Sequence, residues 1–337
     1  MNSKKLLTIC LLLVTTSQIY ASDIFQKLNN VNLMDLDKYK TKPQVEQEMS
    51  SYIEKKQFNE ITKLTKKLLK NEKLHLDGRF IHTLYLDTFL YMTKQPIVVS
   101  DNYFIDNINE ASKWVKQDPK SATGYIYKAF WLRAYAWYIR GGQYTNNTDN
   151  KSIQIFANAS IENAKFLIQN HDVASADPFY YYILLMIFRD LGLEEDSFNV
   201  YKEAIQKFPN HRVIYNTFIS NYESKWFGQN YDIVKMVVED IQEMNPKIKD
   251  IYYYHIMFTA NNNNYDVTRL DVNWERVDIG AVLALKRMPS LEMIEQVSEL
   301  YCSYSGNKER LKKIIYAFPK GQIAQNKIEG LLMNCQS

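Results

Sequence analysis

Glycine, proline and cysteine are scarce in this chain of 337 residues, which has 10 glycines, 8 prolines and 3 cysteines. The low glycine and proline content disfavours an all-β fold built on many tight turns. No GxGxxG or GxxxxGK segment occurs, so the common glycine-rich phosphate loops are excluded. The GxSxG nucleophile motif and the HExxH zinc motif are also missing. The chain therefore lacks the familiar catalytic signatures.

A surplus of one charge and a long hydrophobic run are lacking as well. The formal net charge is +3, and loss of Lys4 and Lys5 with an export signal would leave about +1. Nucleic-acid binders usually carry a clustered basic excess, whereas the lysines at 63 to 70 fall on the polar face of an amphipathic segment. After the N-terminus, no stretch supplies the roughly 20 apolar residues of a transmembrane helix. The sequence predicts no nucleic-acid partner and no transmembrane segment in the mature chain.

The five histidines are scattered, and no two of them lie four residues apart. His75 and His82 are seven residues apart, with Asp77 between them. A zinc site needs at least three protein ligands, and histidines at helix surfaces or ends are the ordinary alternative. We therefore predict neither a metal site nor a cofactor.

The first 21 residues have the pattern of a cleaved export signal. Lys4 and Lys5 form a positive start, Leu6 to Val14 form a short apolar core, and Ala21 is the predicted last residue removed. A retained membrane anchor is the alternative, but the apolar core is too short to span a bilayer. The sequence therefore predicts a periplasmic or secreted protein.

Two cysteines, Cys302 and Cys335, remain after loss of the signal, which contains Cys10. An even pair of cysteines in an oxidising compartment suggests a disulfide. Two free, buried thiols are the alternative. A bridge would close a loop of about 33 residues and stabilise the fold by roughly 3–4 kcal/mol.

The apolar spacing is helical almost throughout and predicts an all-α protein. Val45, Met49, Tyr52 and Ile53 repeat at helical intervals, and a second such segment follows a break near Lys56. Helix ends are predicted at Pro209, Pro246 and Pro319, and helix starts at Pro43, Pro119 and Pro178. Residues 178 to 209 approach the spacing of a tetratricopeptide-type helix pair. We predict an α-solenoid of stacked helical hairpins.

Four segments follow from this pattern. Residues 1–21 are the predicted signal peptide, and 22–40 form a lead-in without a clear period. Residues 41–264 form the predicted helical-repeat domain. Residues 265–337 are less repeat-like and are predicted to form a helical C-terminal cap, with helices near 275–288, 290–304, 308–317 and 322–334.

One helix, predicted between Pro119 and Gly141, differs from the others because it is apolar on nearly every side. Such a helix is expected to be central and buried. Arg133 and Arg140 lie seven residues apart on one face of it, beside Trp137. Their guanidinium groups are our best candidates for lining a groove and binding a carboxylate. The alternative is that the arginines reach solvent or pair with helix carbonyls.

Several segments together resemble the bacterial domain of unknown function 4034 family over residues 50–245. They are the stretch at 57–80, Trp114 with Pro119 and Ser121, Ala136-Trp137 with Arg140-Gly141, and KWFGQN around Trp226. The chain has Trp226-Phe227-Gly228-Gln229 where that family has Trp-Gly-Gly-Ser. The resemblance implies an all-helical, repeat-like exported or cell-envelope protein and no particular activity. Trp226 joins Arg133, Trp137 and Arg140 as a candidate binding residue.

The sequence favours a non-catalytic protein that binds a protein or peptide partner in the cell envelope, as an adaptor or a toxin-immunity protein. Repeats build broad binding surfaces more readily than catalytic pockets. A rival hypothesis uses Glu223, because Glu223-Ser224 resembles the acid motif of lytic transglycosylases, which cleave peptidoglycan. The Gly-Leu-Met-Gln stretch expected downstream is missing. A purely structural envelope protein is the third possibility.

Overall fold

The computed structural model describes residues 24–34, 41–71, 73–75, 77–93, 100–141, 148–304, 307–333 and 335. Within these ranges the protein is all-α, as predicted, and the described residues form no strand beyond an isolated bridge between Leu74 and Phe80. No helix in the described ranges is long and apolar enough to cross a membrane. The predicted signal peptide lies outside the described residues.

The chain divides into two compact units. The first unit comprises residues 40–75 and 79–233. The second contains residues 234–337, the N-terminal segment and residues 76–78. The units thus divide after residue 233, whereas the sequence pattern predicts a repeat domain that extends to residue 264.

The first unit consists of helices joined mostly by short turns. In chain order these are α1 (Thr41–Glu54), α2 (Phe58–Lys70), α3 (Thr83–Thr93), α4 (Asp101–Gln117), α5 (Ala122–Arg140), α6 (Asn150–Gln169), the short α7 (His171–Ala174), α8 (Pro178–Leu191), α9 (Glu194–Lys207) and α10 (Arg212–Asn221). Helix α9 ends just before Pro209, as predicted, because proline cannot continue a helix. Apart from the short α7, each of these helices has several buried apolar side chains.

Helix α5 is central in the first unit, as its composition predicts, and contacts α2, α3, α4, α6, α7 and α8. At its start, Ser121 caps the helix by accepting a hydrogen bond from the backbone N–H of Gly124. The indole ring of Trp114 packs within 3.3 Å of the point where a Cβ of Gly124 would lie and stacks on Phe58. The prediction of burial on every side holds for the first half only. Toward its C-terminal end α5 becomes accessible to solvent, and Tyr138 is exposed.

Helices α8 and α9 form the hairpin that the sequence predicts over residues 178 to 209. Asp177 caps α8 through the backbone N–H of Phe179, and Pro178 occupies the first turn. Gly192 ends the helix in the left-handed conformation, at a φ of 72°, which allows a two-residue connection to α9. Asn221 of α10 donates to the carbonyl of Leu185 and fixes α10 on this hairpin. The assembly of such hairpins into a solenoid stays a prediction.

The second unit contains the remaining helices. They are α11 (Tyr231–Met244), which starts in the first unit, α12 (Lys249–Asn262), a 3-10 turn (Val267–Leu270), α13 (Trp274–Arg287), α14 (Leu291–Cys302), α15 (Lys308–Tyr316) and α16 (Gln325–Met333). The last four match the predicted C-terminal helices to within a few residues. Helices α11 and α15 end shortly before Pro246 and Pro319, as predicted.

Close backbone contact and a cysteine pair hold the second unit together. Helices α12 and α13 approach so closely that a Cβ on Gly280 would lie 2.0 Å from the carbonyl oxygen of Asp250. Cys302 and Cys335 lie at disulfide-bonding distance, as predicted, and join the end of α14 to the residues after α16. The described part of the lead-in also packs here, because Leu28 is fully buried and the N–H of Met34 donates to the carbonyl of Pro289.

Candidate functional site

The predicted binding residues meet around a buried aspartate that the sequence did not single out. Asp190, near the end of α8, has a side chain only 1% exposed. Its Oδ2 accepts hydrogen bonds from Arg133 Nε at 2.7 Å and from Trp137 Nε1 at 2.8 Å, both on α5. Its Oδ1 accepts from Arg189 Nη2 at 3.0 Å. One carboxylate therefore binds two guanidinium groups and an indole N–H.

Two tryptophans and a third arginine complete this group. The ring of Trp226 meets the ring of Trp137 edge to face, with centroids 6.1 Å apart. The Arg189 guanidinium lies 4.1 Å from the Trp226 ring centre, and that of Arg140 lies 4.8 Å from the Trp137 ring centre. Both distances are within the range of cation–π attraction. We call these residues the arginine–tryptophan cluster: Arg133, Trp137, Arg140, Arg189, Asp190 and Trp226.

The structure thus brings together all four residues that the sequence nominated, Arg133, Trp137, Arg140 and Trp226. On α5 the spacing explains this, because residues at i, i+4 and i+7 share one helix face. Trp226 lies in the turn after α10. In this turn the carbonyl of Glu223 accepts hydrogen bonds from the backbone N–H groups of Trp226 and Gly228. Trp137 and Trp226 remain half-buried, so their rings are partly accessible.

The role of Arg133 differs from the one anticipated. Its carboxylate partner is Asp190 of the chain itself, so it holds α5 to α8 in addition to any role toward a ligand. Arg189, the residue before Asp190 on α8, binds the same carboxylate, and its side chain is 13% exposed. Burial lowers the pKa of Arg189, and the Asp190 carboxylate counteracts that shift. Arginine nonetheless stays charged in proteins, so this part of the cluster carries two positive charges and one negative.

Sequence reasoning missed Arg189 and Asp190. The only available signal was an Arg-Asp pair two residues before the glycine that ends α8. Nothing local indicates that Asp190 faces inward or that its partner lies 57 residues away. The contact between Asp190 and Arg133 results from the packing of α8 on α5.

Glu223, the residue of the rival enzymatic hypothesis, pairs with Lys225 at 2.7 Å, and its side chain is 19% exposed. A general acid for glycoside cleavage needs a carboxyl group whose pKa is raised, usually by an apolar setting. Glu223 lies instead beside a largely exposed lysine. The surroundings of Glu223 therefore give the enzymatic hypothesis no support.

Two of the five histidines, His82 and His211, lie in a second polar group in the first unit. His82 Nε2 lies 3.3 Å from Asp177 Oδ2, and both side chains are almost fully buried. Burial acts to raise the pKa of Asp177, but His82 and the Phe179 N–H outweigh it and hold that pKa below its usual value. His211 lies edge-on to His82, with ring centres 5.5 Å apart. In the described parts of the chain, no group of three or more His, Cys, Asp or Glu side chains has the arrangement of a metal site.

Neither protein-family models nor curated protein sequences show a match to this chain.

Proposed function

We propose that the protein is a non-catalytic helical-repeat protein, exported to the periplasm or secreted, that binds a protein or peptide partner through the arginine–tryptophan cluster. The partner supplies a carboxylate to the guanidinium groups and an apolar side chain to the indole rings. Adaptor and toxin-immunity roles both fit such binding. Export is inferred from the N-terminal sequence alone.

One observation carries this proposal: two guanidinium groups share a single buried carboxylate. Arg133 and Arg189 both bind Asp190, so their group keeps a net positive charge in a setting where charge is costly. A purely structural ion pair needs only one arginine. A ligand carboxylate at the edge of the cluster would neutralise this excess, and charge-assisted hydrogen bonds to arginine are among the stronger contacts available.

The tryptophans add a reason to expect a peptide rather than a small ion. Trp137 and Trp226 stand edge to face, half-buried, with arginine side chains over their rings. Tryptophan and arginine are the residue types most enriched among the residues that dominate binding energy at protein interfaces. The combination fits a short segment with an acidic residue next to an apolar one.

A library of short peptides in matched pairs tests the proposal, with each Asp or Glu in one member replaced by Asn or Gln in the other. We expect acidic members to bind the purified protein about tenfold more tightly than their amide counterparts. Arg140→Gln and Trp226→Phe should each weaken that binding. Both leave the Asp190 contacts of Arg133 and Arg189 in place.

Lys151→Gln is the matched control, because Lys151 is an exposed cation on α6 outside the cluster. It should bind the peptides as the parent protein does. Equal binding of acidic and amide members, or equal losses in Arg140→Gln and Lys151→Gln, would reject the cluster as the binding site.

A further inference from the structure

The first unit contains a cavity of about 250 Å³ that shares no residue with the arginine–tryptophan cluster. It lies among the end of α2, the residues before α3 and the turn from α9 to α10. Leu69, Phe80 and Phe208 supply apolar walls, and His82, Lys207 and His211 supply polar ones. An apolar pocket with a few converging polar groups is the usual form of a small-molecule site.

His211 is the most unusual side chain of this wall. It is 5% exposed, and neither of its ring nitrogens has a hydrogen-bond partner among the described residues. Its immediate ring neighbours are aromatic: Phe80 at 5.6 Å, His82 at 5.5 Å and Phe179 at 5.7 Å between ring centres. Buried polar side chains are normally paired, so one that is not requires an explanation.

Lys207 gives the cavity a positive rim. Its side chain is exposed and donates a hydrogen bond to Ser175 Oγ at 2.8 Å. No carboxylate in the described ranges pairs with it. The nearest acidic residue on the same helix face, Glu203, accepts hydrogen bonds from His171 and Tyr181 instead. The charge of Lys207 is therefore available to an anionic group at the mouth of the cavity.

We infer that this cavity binds a small carboxylic acid with a single aromatic ring. The ring lies against Phe80 and Phe208, the carboxylate faces Lys207, and a polar atom of the ligand pairs with His211. Pockets for drug-sized ligands typically have volumes of about 300–1,000 Å³. A cavity of about 250 Å³ therefore fits a smaller ligand, such as an acid with one ring. Burial lowers the pKa of His211 to about 3, so its imidazole is neutral and offers one donor and one acceptor.

Calorimetry with two probes of equal size tests this inference on protein purified after expression of the full-length gene. The probes are 3-phenylpropionate and its neutral counterpart 3-phenylpropanamide. We expect the acid to bind about fivefold more tightly than the amide, because a contact with an exposed lysine contributes up to about that factor. Equal affinities for both probes, or binding of neither, would overturn the inference.

Three variants and one control variant locate the binding. Lys207→Met should remove the preference for the acid, whereas Lys67→Met, an exposed lysine on α2 outside the cavity, should retain it. Leu69→Trp should abolish binding because the larger side chain fills the cavity. His211→Phe keeps the ring packing and should weaken binding about tenfold. Unchanged binding by Leu69→Trp would place the ligand elsewhere.

The imidazole nitrogens of His211 give a readout that does not depend on substitution. In the parent protein, 3-phenylpropionate should shift the 15N resonances of His211 and leave those of the more accessible His171 unchanged. A ligand-induced shift at His171 alone would mean that the probe binds at the surface, and it would refute binding in the cavity.

Discussion

Both units bury an aspartate beside arginine, but they balance its charge differently. In the first unit, Asp190 binds Arg133 and Arg189, so two positive charges face one negative charge. In the second unit, Asp278 binds Arg310 alone and accepts a hydrogen bond from the hydroxyl of Tyr301 at 2.7 Å. A balanced pair is sufficient to join helices. The surplus in the first unit is what distinguishes a candidate binding site from a structural pair.

The arginines of the two networks also differ in their access to water. Arg133 and Arg189 have side chains 15% and 13% exposed, whereas that of Arg310 is 38% exposed. An arginine that reaches water can lose its partner at little cost, but a buried one cannot. The first network is therefore expected to be the more sensitive to loss of its aspartate.

Asp190→Asn gives the largest expected effect. It leaves two largely buried guanidinium groups without a counter-charge, so we expect a loss of about 3–5 kcal/mol in the free energy of unfolding. Asp278→Asn should change the free energy of unfolding by less than about 1 kcal/mol, because burial disfavours the charged carboxylate, Arg310 can turn to solvent and Tyr301 can still donate to the amide oxygen. Urea unfolding followed by circular dichroism measures both values. A larger loss for Asp278→Asn would contradict the contrast between the networks.

The cysteine pair offers a test on the second unit, because only that unit has such a link among the described residues. Cys302→Ser opens a loop closed across 33 residues and should reduce stability by about 3–4 kcal/mol. Amide hydrogen exchange should show the loss of protection concentrated in α14 and α16. Protection of α5 and α8 in the first unit serves as the internal control. Equal losses in both units would show that the bridge does not act locally.

The sequence predicts features that depend on neighbours along the chain and misses those that depend on packing. The helix end before Pro209 follows from the covalent structure of proline, and the shared face of Arg133, Trp137 and Arg140 follows from helix geometry. The partnership of Arg133 with Asp190 spans 57 residues, so it depends on how α8 packs on α5.

The cavity in the first unit shows the same limit. His82 and His211 are 129 residues apart in the chain, yet their rings are neighbours. Neither residue lies in a motif with metal-ligand or catalytic spacing, so a sequence pattern treats each as an isolated surface histidine. Only the tertiary structure, which brings the residues before α3 and α10 together, shows that both are buried.

Glycine substitutions compare how closely helices pack in the two units. A methyl group at Gly280 would lie 2.0 Å from a backbone oxygen of Asp250, so Gly280→Ala must separate α12 from α13 and should cost about 2–3 kcal/mol. At Gly124 the atoms nearest to an added methyl group belong to the Trp114 ring, at 3.3 Å. The higher helix propensity of alanine, about 0.5–1 kcal/mol, should nearly offset that contact.

Thermal unfolding of the two alanine variants measures this difference. Gly280→Ala should lower Tm by several degrees, and Gly124→Ala should remain near the parent value. Similar shifts for the two variants would mean that the Trp114 ring cannot move aside, and that the first unit is packed as rigidly as the second.

Acid should affect the two units in opposite directions. Burial, assisted by His82, lowers the pKa of His211 from 6.5 to about 3. Below pH 6.5 the unfolded chain therefore binds a proton that the folded first unit does not, and stability falls as the pH falls. Burial raises the pKa of Asp278 above its unfolded value, despite Tyr301 and Arg310. The folded second unit therefore binds a proton before the unfolded chain does, and this group favours folding in acid.

Hydrogen exchange at pH 7 and pH 5, corrected for the intrinsic rates, separates these effects. Between pH 6.5 and 5, titration of His211 should remove about 2 kcal/mol from the stability of α3 and α10. His211→Phe has no imidazole to protonate and should lose less over the same interval. In the second unit, Asp278→Asn has no carboxyl group to protonate, so α13 and α14 should lose the acid-favoured contribution that the parent gains below the raised pKa of Asp278. An equal pH dependence of α3 and α10 in the parent and in His211→Phe would show that His211 does not cause the acid sensitivity of the first unit.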